Sequence, residues 1–210
     1  MKSRIMYSMD TKDVIKKSLA AGVLIGLGDL ANLLSGDRIV GSLLFSLGLL
    51  MIAKADLYLF TGKIGFCKLS NVLKPKMWMI LGGNFAGILM TVAIAMLAKP
   101  VLLFNSLQEI GSAKFTADIA SIFFLGLLCG VCVQIAVQSK SQCITILAIM
   151  LFVLCGFEHC IADFPFLVAL PFELSNWVKL LFVVLGNSIG AMSFRFLTTE
   201  TSAWASICKT

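Results

Sequence analysis

The chain has 210 residues, 59% of them hydrophobic and 13% charged, with a formal net charge of +6 and a mean hydropathy of +0.98. A soluble domain is about half apolar and roughly a quarter charged, so this composition marks a membrane protein and excludes a soluble enzyme, a nucleic-acid binder and a disulfide-stapled secreted module. Each crossing takes ~20 apolar residues, which leaves room for about six or seven spans and no sizeable aqueous domain.

In chain order, residues 1–17 hold a basic cluster of Lys2, Arg4, Lys12, Lys16 and Lys17, expected on the cytoplasmic side. This segment is too polar, and the apolar run behind it too long, for a cleavable leader. The first span is expected over Ser18 to Leu34. The run from Ile39 to Ala53 stops at Lys54 and Asp56, and a shorter piece from Leu57 to Val72 follows, interrupted at Thr61-Gly62-Lys63. Together they read as one broken span. Met77 to Ala98 and Ile119 to Val137 are uncharged and long enough to cross as single helices. Cys143 to Phe157 stops at Glu158 and His159, and Ile161 to Phe172 follows with Pro165 and Pro171, giving a second broken span. Leu174 to Phe194, carrying Lys179 near its start, is the last, and the loops between spans are expected to be minimal.

The order is continuous, broken, continuous in each half. Gly82-Gly83-Asn84-Phe85-Ala86-Gly87 in the third span is echoed by Leu185-Gly186-Asn187-Ser188-Ile189-Gly190 in the sixth. The expected architecture is therefore an all-α membrane protein, a single transmembrane channel domain over residues 1–210. Its six helices form two inverted three-helix repeats, 18–98 and 115–196, with the second and fifth helices broken. Three spans per half is an odd number, so the second half runs opposite to the first and the two breaks meet near the bilayer midplane. Irregular backbone at that depth is tolerable only where protein covers it or it lines a cavity.

Charge bias orients the chain with both termini in the cytoplasm. Eleven Lys and Arg then lie inside and four, Arg38, Lys99, Lys114 and Lys179, outside. Six of the seven cysteines sit in or beside apolar runs, the seventh being Cys208, so no disulfide framework is suggested. Cys129 and Cys132 have the spacing of a redox or zinc pair but no His or second Cys pair nearby, and packing as small hydrophobes is the plainer reading.

Several polar residues stand out. His159 is the sole histidine, placed at a break with Glu158 beside it. An intramembrane ionisable group marks function by default because burying it unpaired costs several kcal/mol; it could otherwise serve to satisfy carbonyls freed by the break. Asn187 can hydrogen-bond His159 or an ion, or clamp helices together, the role expected of Asn84. Thr61 offers a hydroxyl that can donate to an anion or cap the short helix at the first break. Lys114 either snorkels as an interfacial anchor or attracts anions to a pore mouth. Lys54 can share a helical face with Tyr58 but not with Asp56, as a local partner, a contact between subunits or added positive potential at the inner mouth.

The residues around the breaks resemble the formate/nitrite transporter family. Phe45-Ser46-Leu47-Gly48-Leu49 leading into Leu59-Phe60-Thr61-Gly62 resembles its first signature, and Gly156-Phe157-Glu158-His159-Cys160-Ile161-Ala162-Asp163 its second. Gly83-Asn84 and Gly186-Asn187 resemble the family's Gly-Asn pairs, and the likeness runs from about Lys17 to Phe196. Departures fall at the breaks: Tyr58 stands where an acidic residue is usual, Lys63 and Asp163 where Asn is usual, and Lys54 and Asp56 in a stretch usually apolar or small.

The resemblance implies a homopentamer with an aquaporin-like protomer in the inner membrane of a prokaryote, passing formate, nitrite, hydrosulfide or a similar weak-acid anion, passively or with a proton, and needing no cofactor. It implies polar pore residues His159, Thr61, Asn187, Lys114 and Glu158, with apolar constrictions at Phe45, Leu49, Leu59, Phe60 and Phe152 that refuse hydrated ions. The expected partners are the small anion, other copies of the chain and membrane lipid, with no nucleic acid. Two other readings stand beside it. A neutral-solute channel of the aquaporin or urea type would use the same repeat, and a membrane enzyme would use Cys160 and His159 as nucleophile and base, although no orienting group for that pair is visible.

Overall fold

The computed structural model describes residues 10–67, 74–139 and 141–199. Lys2, Arg4, Lys68, Lys140, Cys208 and Lys209 lie outside the described residues, as does the end of the run expected to reach Val72. Helix α1 (Thr11–Leu34) starts at Asp10, whose carboxylate accepts the Lys12 N–H. α2 (Arg38–Lys54) starts at Asp37, which accepts the Ile39 and Val40 N–H groups. There follow α3 (Phe60–Ile64), α4 (Pro75–Ala98), α5 (Pro100–Thr116) and α6 (Ile119–Gln138). The chain then forms α7 (Gln142–Cys155), α8 (Phe164–Ala169) and α9 (Leu174–Thr198).

The described residues contain helices and no strand. By length and composition α4, α6 and α9 can each cross a membrane, and α7 is a shorter apolar helix. Large side chains such as Ile94, Phe124, Leu147 and Leu181 are exposed, as a lipid environment requires and water would not tolerate in such numbers.

Two corrections follow. The link between the third and fourth spans is a helix of its own, α5, where a minimal loop was expected. It begins with Pro at its first turn, a position that lacks a helical partner for its N–H anyway, and buries Leu103, Leu107, Gly111 and Phe115 at a spacing of four, one face of a helix. The apolar runs end about where expected, α2 at Lys54 and α7 at Cys155, but the interruptions expected further on are absent: the chain leaves helix at residues 55–59 and Thr61-Gly62-Lys63 lies inside α3, while Pro165 opens α8 rather than breaking it.

Each break is built the same way. α2 gives way to Asp56 in the left-handed region (φ 48°) and α7 to Gly156 (φ 68°), the backbone state that closes a helix by turning its last carbonyls inward. One residue on, Leu57 donates to the Ile52 carbonyl and Phe157 to the Phe152 carbonyl, both at 3.0 Å.

An asparagine then gathers the irregular strand of each break. Asn84 accepts the Phe60 N–H (2.8 Å) and donates to the Ser18 and Tyr58 carbonyls (both 2.8 Å). Asn187 accepts the Cys160 N–H (3.0 Å) and donates to the Gly126 and Glu158 carbonyls (both 2.8 Å). Backbone that leaves a helix inside an apolar medium must find such partners.

Both asparagines reach their neighbours because glycine lets the helices touch. A Cβ at Gly22 on α1 would collide with the Asn84 backbone, and one at Gly130 on α6 with the Asn187 backbone, the small-residue contact typical of helices packed in lipid. The repeat seen in sequence is therefore carried into the hydrogen bonds, and it brings α3 and the second break side by side in the core.

Candidate functional site

His159 is 2% exposed and its Nε2 lies 3.0 Å from the Thr61 hydroxyl oxygen. The two breaks therefore meet through one side-chain hydrogen bond. The backbone N–H of Ala162 points at His159 Nδ1 from 3.2 Å, which makes Nδ1 an acceptor and puts the ring proton on Nε2. Nε2–H then donates to Thr61, and the Thr61 O–H is not spent on the histidine. Thr61 was expected to cap the short helix or to face an anion; α3 has Leu59 at its N-cap and no side-chain cap bond, so the hydroxyl is engaged with His159 instead.

Phe152 lies against the imidazole (centroids 5.7 Å apart, planes at 20°) and Phe45 stands edge-on to Phe152 at 5.7 Å. These three rings help line a cavity of about 370 Å³ whose lining also includes Asp29, Arg38, Lys114 and Asp163. Leu49, Leu59 and Phe60 are buried, at 1 to 3% exposure, and do not belong to that lining.

Lys114 projects from the last turn of α5 into this cavity. It forms ion pairs with Glu158 (2.5 Å) and Asp163 (3.0 Å), so the lysine is a paired charge that holds α5 to the second break. Lys179 on α9 reaches the Phe115 carbonyl at the foot of α5.

Asn187 does not bond His159. Its carboxamide is spent on three backbone groups, the clamp reading, as is that of Asn84. Lys54 and Tyr58, which could have shared a helical face, do not, because the helix ends at Lys54; the Tyr58 ring has the Lys17 and Lys63 ammonium groups 5.0 and 4.9 Å from its centroid, and Lys63 pairs with Asp56 at 2.8 Å. Cys129, Cys132 and Cys160 are buried without disulfides, and the described residues hold no cluster able to bind a metal.

Two polar residues with a buried oxygen escaped the sequence reading, one of them in the cavity lining. Asp29 on α1 lines the cavity, and its Oδ2 is buried without a hydrogen-bond partner; so is Oδ2 of Asp163. Asp29 is the sole charged residue between Ser18 and Leu34, so the rule applied to His159 would have found it. Gln134 on α6 is fully buried with its Oε1 unpartnered and its Nε2 donating to Gln138; no charge marked it.

Two broken helices meeting at a buried histidine and threonine, beside a cavity lined by charged and aromatic side chains, form the arrangement of a membrane channel. The family model for the formate/nitrite transporter matches residues 3–199, and the chain belongs to that family. It is 27% identical over 191 residues to the formate channel FocB of Escherichia coli (strain K12), covering 77% of this chain and 67% of that protein. Among solved structures it is similar to a pentameric formate channel with formate bound (TM-score 0.69, 22% identity, 100% and 99% of the two chains). It is also similar to an FNT family ion channel (TM-score 0.77, 22% identity, 97% and 94%).

Proposed function

We propose that the protein is a passive or proton-linked channel for a small monovalent weak-acid anion such as formate, nitrite or hydrosulfide, with Thr61 and His159 as the point of contact inside the membrane. The observation that carries this reading is the hydrogen bond between them: with the histidine proton committed to Thr61, a donor is left to greet an oxygen or sulfur of the solute. A bare charge at this depth is expensive; a protonated weak acid is neutral and pays far less. Phe45 and Phe152 on one side and Leu49, Leu59 and Phe60 on the other would strip water from whatever passes, so that only a species able to shed its hydration cheaply gets through. Lys114, held by Glu158 and Asp163, would moderate the desolvation of an arriving anion without binding it tightly.

The assembly that goes with this reading is a homopentamer with one pore per protomer in the inner membrane of a prokaryote. Both termini would face the cytoplasm and the two halves would be inverted. Support comes from the pentameric formate channel that shares the fold and from the basic bias of the expected inner segments. Flux into proteoliposomes of formate, nitrite and hydrosulfide, set against urea, tests the function. Passage of at least one anion well above urea is expected; urea passing while all three anions are refused would sink the reading. Native mass spectrometry of the detergent-extracted protein should give five chains per particle.

A further inference from the structure

A carboxyl group without a partner lines the cavity that His159 shares. Asp29, on α1, lies on one helical face with Asn32 and Leu33, which border the same cavity. Its Oδ2 is enclosed and has no hydrogen-bond partner. The side chain as a whole keeps some accessible surface, so the carboxyl borders the cavity instead of the packed core. The preceding residue fixes its height in the pathway. A Cβ at Gly28 would lie 3.3 Å from the Phe45 ring, and that ring stands edge-on to Phe152, which lies against His159. Asp29 is therefore placed where the charged lining gives way to aromatic rings.

The ionisable groups that share the cavity with Asp29 are Lys114 from α5, His159 and Asp163 from the second break, and Asp37 and Arg38 from the start of α2. α4, packed along α1, has none between Lys76 and Lys99. These neighbours are already engaged. Asp163, like Glu158, is ion-paired with Lys114. His159 accepts at Nδ1 from the Ala162 N–H and is bonded to Thr61 through Nε2. Asp37 caps α2, and Arg38 donates to the Leu154 carbonyl. Asp29 can gain or lose a proton without breaking an ion pair or a hydrogen bond among the described residues. An unpaired carboxylate at the edge of an apolar passage is costly and a carboxylic acid is not, which is the difficulty that an arriving anion meets as well.

We infer that Asp29 is the proton relay of the cavity: its carboxyl hands a proton to the anion at the edge of the aromatic rings and recovers one from cavity water. The inference rests on the weak-acid channel reading and deepens it. With formate, the Asp29 O–H bond breaks as a formate oxygen takes the proton, giving neutral formic acid and an Asp29 carboxylate. A hydronium ion in the cavity then restores the carboxyl, so one proton crosses with each formate. Molecules leaving by this end run the step in reverse. Donor and acceptor are both carboxylates, so the transfer is close to even in energy. The cavity of about 370 Å³ holds the anion together with several waters at ~30 Å³ each. Without the relay, only acid already protonated in bulk solution could enter, and near neutral pH that is a minute fraction.

The test is formate uptake by proteoliposomes between roughly pH 7.5 and roughly pH 5.5, where the protonated bulk fraction of a carboxylic acid rises about tenfold per unit. Wild type, Asp29→Asn and Asp29→Glu are compared. Asp29→Asn should rise by that full factor and wild type by less, so that a deficit of about tenfold or more at the upper pH closes toward the lower one. Asp29→Glu, which keeps a carboxyl, should hold to the shallower profile. A deficit of constant size at every pH would mean that Asp29 only supports the fold, and uptake equal to wild type throughout would remove it from the pathway. Either result overturns the inference. Should Asp29→Asn fail to assemble, the wild-type profile decides, because a full rise of about tenfold per unit there would mean that preformed acid alone enters. Absence of formate, nitrite and hydrosulfide uptake by wild type at every pH would retire the channel reading itself, an outcome distinct from a constant deficit.

Discussion

Asn84 and Asn187 perform one task in the two halves of the chain: each accepts a single backbone N–H and donates to two backbone carbonyls, fixing the strand that leaves the second or the fifth expected span. Both are fully buried. Substituting leucine would leave three backbone groups without partners, each costing about 1–3 kcal/mol. Asn84→Leu and Asn187→Leu are each expected to lower the melting temperature sharply in detergent and to reduce recovery of assembled protein. A melting curve unchanged by either would show that water or lipid replaces the carboxamide.

The free donor at the centre belongs to Thr61. Thr61→Ser keeps the oxygen within reach of His159 Nε2, and Thr61→Val removes it at almost constant shape. Anion flux should fall at least about tenfold in the valine variant, the loss of one hydrogen bond to a charged or polarised solute being worth ~1.5–3 kcal/mol, and should largely survive in the serine variant. Equal flux in all three proteins would place the solute path elsewhere.

Removing Lys114 leaves Glu158 and Asp163 facing one another without a counter-ion. Breaking such a pair is more damaging than deleting it whole. Lys114→Ala should therefore destabilise the protein, and adding Glu158→Gln with Asp163→Asn should restore much of the lost thermal stability. Failure of the triple variant to recover any stability would mean that the lysine acts by packing its alkyl chain.

Asp56 is the one non-glycine residue of positive φ among those described, and its partner Lys63 meets it at a side chain that is 72% exposed. Exposed ion pairs contribute about 0–1 kcal/mol, and relief of the left-handed backbone by glycine offsets a similar amount. Asp56→Gly is expected to leave the melting temperature within a degree or two, on the scale of ~0.5 kcal/mol; a large drop would show that Asp56 makes a contact in the assembled protein.

The long apolar helices and the echo around Asn84 and Asn187 could be read from the sequence because lipid imposes a strong hydropathy signal and glycine-asparagine pairs are uncommon inside it. Helix α5 could not, since its apolar face is one residue in four and looks like a loop to a window tuned for spans. The charges of Lys54 and Asp56 marked the end of α2, but Gly62 and Lys63 also look like helix breakers, and α3 runs through them. His159 was conspicuous as the lone imidazole, but its bond to Thr61 joins residues 98 apart and only folding reveals it. The pairing of Lys114 was likewise hidden, since Glu158 and Asp163 lie 44 and 49 residues further along the chain and Asp163 looked like a substitution in a motif.

The central claim is that a weak acid crosses in its neutral form past Thr61 and His159. The most direct measurement is formate uptake by proteoliposomes at two external pH values one unit apart, both well above the pKa of the acid, in wild type and in His159→Phe. Far above its pKa, the protonated fraction of such an acid changes about tenfold per pH unit. The account predicts that wild-type uptake rises steeply at the lower pH and that the phenylalanine variant loses most of it at both. Uptake that ignores pH, or that passes undiminished through the phenylalanine variant, would contradict it.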